Sequence, residues 1–162
     1  MASHNEASPL THLDSDGHMR MVDVAAKPET KRVALAEARV LLAPETRAQL
    51  LAGDVPKGDV LAAVRLAGIQ AAKKTAELIP LCHPISLSHV SVDVTVCSWG
   101  VEIIARAEST GRTGVEMEAL TAVNIAALTL YDMLKAVERE IVIERVQLLE
   151  KHGGKSGSWL RG

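Results

Sequence analysis

The stretch Leu78 to Ile85, LIPLCHPI, sets a thiol beside an imidazole between two prolines in otherwise apolar company. Metal binding, nucleophilic attack and ligand recognition all use such groups. A zinc centre needs three or four convergent ligands. Cys82 and His83 are chain neighbours pointing in different directions, with only His89 close in sequence, so no metal is expected. Cys–His nucleophile pairs normally meet in space from distant positions, which also fits poorly. Pro80 and Pro84 stiffen the loop, and a rigid loop leaving a helix C-terminus is well placed to present an imidazole and backbone groups to a ligand. A satisfied structural histidine is the usual fate of such a residue, and the residues alone leave the two readings level.

A second constellation lies further along. Asp132 and Lys135 are three residues apart and share one helix surface, as do Glu118 and Thr121. A solvated ion pair commonly contributes little. However, residues 120–130 are apolar or small almost all round, which marks a central helix, where charges are costly unless employed. Asp132 and Lys135 are therefore candidates for acid–base chemistry. Glu118 and Asp132 stand fourteen residues apart, about 21 Å along the axis at ~1.5 Å per residue. One small reacting centre cannot touch both, so either the ligand is long or subunits share sites.

Basic and glycine-rich segments supply the rest: Lys57 in PKGD, Lys73 with Lys74, Arg112 in TGRTG, and the terminal KHGGKSG. Each is more often a solvated surface. Together, as sources of charge and backbone N–H groups, they lean toward a phosphorylated substrate. A P-loop is rejected, because that motif wants a glycine where Leu149 stands and a helix after the lysine.

The elements that must hold these groups follow from periodicity. Lys31 to Leu42 alternates Val33, Leu35, Glu37, Arg39 and Leu41 against Ala34, Ala36, Ala38, Val40 and Leu42, which predicts a strand over a helical alternative suggested by its alanines. Pro44 opens a short helix that Gly53 closes, and a second helix runs from Lys57 to Ile79 until Pro80 ends it. Two alternating runs, 87–97 and 101–109, read as antiparallel strands around a turn at Trp99-Gly100. The central helix spans 114–140, and a last strand covers 141–151. Strands and helices interleave, which predicts α+β layers: an antiparallel sheet with helices packed on one face.

Composition narrows the function classes. The 162 residues suit a single domain, with residues 1–20 as a mobile N-terminal arm and 21–162 as the folded unit. A net charge of −2 gives no global pull toward nucleic acid or anionic membrane. Trp99, Trp159 and Tyr131 are the only aromatic residues, so base-stacking platforms are nearly absent. No apolar run is read as spanning a membrane, and with two cysteines and no secretory pattern a cytoplasmic location is expected.

Four long segments, HMRMVDV, KGDVLAAVRLAGIQAAKKTAELIPLCHP, TGVEMEALTAVNIAALTLYDMLKAVER and HGGKSG, occur in an order that closely resembles the MoaC family, the cyclic pyranopterin monophosphate synthases of molybdenum cofactor biosynthesis. The resemblance implies a ferredoxin-like fold in a homohexamer, a trimer of dimers, with sites at subunit interfaces. It implies a purine triphosphate-derived substrate, 3′,8-cyclo-7,8-dihydroguanosine 5′-triphosphate, made by a radical-SAM enzyme, and no metal or organic cofactor. By the same resemblance Asp132, Lys57 and Lys135 are catalytic, and Leu81, Cys82, His83, Met117 and Glu118 bind substrate. Glu116, Asp23, Lys151 and Lys155 resemble further pocket residues. Two rivals, a nucleotide-binding module without chemistry and an interaction protein in which His83 is packed core, leave this concentration of Lys, Asp, Glu and His unexplained.

Overall fold

The computed structural model describes residues 12–162, so the expected arm lies partly outside the described residues. Strand β1 (Thr30–Leu41) is followed by helices α1 (Pro44–Ala52), α2 (Val60–Lys73) and α3 (Thr75–Leu78). A hairpin of β2 (His89–Cys97) and β3 (Gly100–Gly111) leads to α4 (Glu116–Leu134), then β4 (Val142–His152) and β5 (Trp159–Leu160). The sheet order is β2-β3-β1-β4-β5, antiparallel throughout. Leaving aside the short α1, α3 and β5, this is the β-α-β-β-α-β order of a ferredoxin-like fold, in which each crossover helix links strands that sandwich a third.

Period-two alternation decides which face the helices cover. Ala34, Ala36, Ala38 and Val40 of β1, Val101, Ile103, Ala105 and Ala107 of β3, and Val92 and Val94 of β2 are all buried. Alanine on this face lets the helices come close, and Ala119, Ala122, Val123, Ala126, Ala127 and Leu130 of α4 fill the layer. Gly68 of α2 allows the closest helix approach, since a Cβ there would lie 3.2 Å from the Ala122 carbonyl and 3.3 Å from the Ala126 methyl. The opposite sheet face carries Leu35, Glu37 and Arg39 beside Glu102, Ile104 and Arg106, all only half-buried. Among the described helices, α4 alone has the length and apolarity of a membrane span, and half of that window is packed inside the domain.

Three details differ from the sequence expectation. The helix foreseen over 57–79 breaks at Lys74, which leaves helical geometry at φ −106° and ψ 9°. Buried Thr75 then donates its hydroxyl to the Ala72 carbonyl at 3.0 Å, satisfying the interrupted turn. The central helix stops at Leu134 rather than Glu140, because the following turn swings Glu138 back to accept the Ala43 N–H at 3.0 Å. Strand β5, unforeseen, adds two residues to the edge of the sheet.

Candidate active site

Helix α4 carries a cluster at each end. At its N-terminal end a cleft of about 380 Å³ is lined by Leu81, Cys82 and His83 from the α3–β2 loop and by Glu116, Met117 and Glu118 from the first helical turn. Val22, Val24 and Lys27, from the segment preceding β1, close one side. The helix starts at Gly114-Val115 without a side-chain cap. Gly114 leaves room for the Glu116 carboxylate, which a Cβ there would displace. His83 answers the question its loop raises: its Nε2–H donates to the Val22 carbonyl at 2.7 Å, which fixes the ring's orientation and, in the neutral imidazole, leaves Nδ1 as the acceptor.

Glu118 is the unusual group of the cleft. It is 3% exposed, and its Oε2 has no hydrogen-bond partner among the described residues. Desolvation, with help from the nearby Glu116 charge, pushes its carboxyl up to about 7. Burial, and then the Glu118 charge, raises the Cys82 thiol as well, so this sulfur is a poor nucleophile. The recess thus offers an exchangeable proton and an unfilled acceptor in a half-apolar setting.

A second cavity of about 920 Å³ adjoins the first, and Lys27, Thr113 and Gly114 line both. Thr30, Arg32, Arg112, Lys155 and Ser156 complete its polar lining. The pairing of Thr30 with Gly111 brings the start of β1 beside the end of β3, which is why cations distant in sequence converge. Lys27, Arg32, Thr113 and His12 were not singled out from the sequence. Strand register brings Lys27, Arg32 and Thr113 together, while His12 reaches the lining of the first cleft from the turn at the start of the described chain, and no local motif announces either.

At the other end of α4, Lys57 and Lys135 both grip Asp132. Lys57 Nζ donates to Asp132 Oδ2 at 2.9 Å and to the Asp132 carbonyl at 2.6 Å, while Lys135 Nζ reaches Oδ1 at 2.7 Å. Lys57 is delivered by the turn before α2, where Gly58 takes φ +87° and Asp59 caps the helix by accepting the Ala62 N–H. Lys135, and then Lys57, hold the Asp132 carboxyl down to about 2. Asp132 in turn raises Lys135, opposite to the lowered lysine pKa that base catalysis would favour. The trio is more than a third exposed at every member and carries a net positive charge.

The remaining expected site residues lie close by. Asp23 sits between Val22 and Val24, and its carboxylate accepts the Ala25 N–H at 2.8 Å. Lys151 lies in β4 and donates to Ser156 Oγ, beside the second cavity rather than in its lining. A separate acidic turn places Asp14, Asp16 and His18 within metal-ligand reach of one another. Asp14 is already engaged there by the Asp16 and His18 amides at 2.9 Å.

Fold and site define a ferredoxin-like protein with an acid-floored recess, a cationic cavity beside it and a lysine–aspartate cluster one helix-length away. The chain belongs to the MoaC family, whose pattern it matches over residues 21–154. It is 62% identical to the cyclic pyranopterin monophosphate synthase of Thermomicrobium roseum, covering 94% of this chain and 93% of that protein. The protein of the same name from Chloroflexus aurantiacus is 57% identical over 98% and 97% of the two chains. That of Novosphingobium aromaticivorans is 56% identical over 93% and 96%.

Proposed function

We propose that this protein is a cyclic pyranopterin monophosphate synthase that converts 3′,8-cyclo-7,8-dihydroguanosine 5′-triphosphate to cyclic pyranopterin monophosphate and diphosphate, a step of molybdenum cofactor biosynthesis. The observation that best supports the reading is the shared wall of the two cavities. A recess floored by Glu118 suits the purine-derived ring, and four cations, Lys27, Arg32, Arg112 and Lys155, stand where the triphosphate would extend.

Binding and chemistry divide between the clusters. Leu81, Cys82, His83, Glu116, Met117 and Glu118 hold the ring, and Asp23 shapes the segment that bears Lys27. Lys57 and Lys135, held against Asp132, donate protons as the ring opens and recloses as a pterin, and recover them as each intermediate collapses. A ribose-derived hydroxyl then attacks the α-phosphorus. Its O–P bond forms, the bond to the diphosphate oxygen breaks, and the hydroxyl proton passes to a neighbouring base. Lys155, with Lys151 beside it, offsets the charge growing on the leaving diphosphate.

Residues 21–162 form the one catalytic domain and residues 1–20 its arm. The two ends of α4 meet across copies in a homohexamer, a trimer of dimers, because a single α4 is too long to bring Glu118 to Asp132. The enzyme works in the cytoplasm without metal or organic cofactor, takes substrate from a radical-SAM enzyme, and has no nucleic-acid or membrane partner. The reading is tested by incubating the purified protein with enzymatically made substrate and following diphosphate and the fluorescent oxidised pterin. Both rise together on this account. Substrate that binds and is recovered unchanged would instead indicate a nucleotide-binding module.

A further inference from the structure

The family match ends at residue 154, yet Lys155 and Ser156 line the cationic cavity and β5 lies beyond them. We infer that β5 with Arg161 is a latch that positions the Gly153–Ser158 loop, and through it Lys155, over the phosphate-binding cavity. The inference rests on the proposed use of that cavity.

The loop is pinned on both flanks. On the sheet side, Gly153 and Gly154 take φ +94° and +74°, and a Cβ at either would collide with the Lys31 carbonyl or the Arg32 guanidinium. Only glycine lets the chain pass so close to β1. Inside the loop, Gly157 N–H closes on the Gly154 carbonyl at 3.1 Å, Lys151 donates to Ser156 Oγ, and His152 Nδ1 meets Ser158 Oγ at 2.9 Å.

The far flank depends on β5. Leu160 pairs with Glu150 and Trp159 with Lys151. Arg161 then donates its backbone N–H to the Leu149 carbonyl at 2.8 Å and its Nε–H to the Leu148 carbonyl at 2.6 Å, while its guanidinium lies 5.4 Å from the Trp159 ring. Trp159 and Leu160 remain 41% and 62% exposed, so core burial is not what holds them. The strand earns its place through the hydrogen bonds that close the hairpin, and a glycine-rich loop without that closure loses Lys155 to many conformations. Arg161 is thus a positioning residue that acts through Lys155.

Arg161→Pro deletes both the backbone and the side-chain donor, and Arg161→Ala deletes only the second. With inorganic tripolyphosphate as the probe, calorimetry should show about tenfold weaker binding for Arg161→Pro and a smaller loss for Arg161→Ala. Amide exchange should quicken across residues 153–158 in the same order, and kcat/KM should fall through a higher KM and a lower kcat together, since Lys155 also faces the charge growing on the leaving diphosphate. Lys155→Ala should add little to Arg161→Pro, since both remove the same contact. If the unaltered protein binds tripolyphosphate and Arg161→Pro binds it equally well, the latch is wrong although the cavity reading survives. Full additivity of the two substitutions, or a lowered melting temperature with amide exchange at 153–158 unchanged, also overturns it. If the unaltered protein fails to bind the probe, the cavity reading falls and the latch with it.

Discussion

The two ends of α4 carry carboxylates in opposite electrical states. Glu118 is buried with an unpartnered oxygen and pushed up to about 7, whereas Asp132, on an exposed surface, is gripped by two lysines and held down to about 2. Residue type therefore does not set the chemistry. Desolvation without a partner makes an exchangeable acid, and two ammonium donors make a permanent anion. The first suits ring recognition coupled to proton exchange, the second a scaffold that keeps Lys135 charged and both lysines aimed.

The largest effect is expected at the lysine end. Lys57→Ala and Asp132→Asn should stay folded, because these groups are exposed, but lose turnover by roughly a hundred- to ten-thousandfold. Circular dichroism and steady-state kinetics check this, and near-normal rates would remove the functional meaning of the contrast.

Next comes the buried acid. Between the ordinary carboxyl range and pH 7, unfolded Glu118 is ionised while the folded group keeps its proton, so its burial disfavours folding progressively more as pH rises through this window. Glu118→Gln should remove that slope, relieving about 3 kcal/mol at most above pH 7 and nothing at pH 4. Urea unfolding at the two pH values measures it. In substrate binding the same variant should weaken affinity and flatten its pH dependence.

Smaller shifts sharpen the other pole. Asp132 works in the reverse sense: its ion pairs add stability above its ordinary carboxyl range, and the gain disappears as pH falls toward 2. Lys135→Ala removes the largest cause of that depression, so the Asp132 carboxyl should titrate higher, as followed by carbon NMR. Asp59→Ala deletes the cap that begins α2 just after Lys57, and should cost about 1 kcal/mol with a melting shift of about 2–4 °C.

The alternation of β1 was legible residue by residue, because an alanine face opposite a mixed face has one sensible orientation against helices. The separation of Glu118 from Asp132 followed from counting along one helix. The end of α4 was not legible, since Glu138 finds its partner Ala43 ninety-five residues away. Nor were Lys27 and Arg32, which are unremarkable until β1 pairs with β3 and carries them to Arg112. Family resemblance named the LCHP loop as ligand-binding, but the tie from His83 to the Val22 carbonyl is a tertiary contact no local pattern encodes.

The central claim is that the acid end of one α4 and the lysine end of another build one site. Lys57→Ala subunits, poor in turnover, and Glu118→Gln subunits, weak in substrate affinity, should be co-expressed and assayed as mixed assemblies at substrate concentrations low enough that neither variant alone turns over appreciably. Shared sites predict recovery toward roughly a quarter of normal activity, the share of intact sites that random pairing gives. Mixed assemblies no more active than either variant alone would place all the machinery within a single chain and contradict the account.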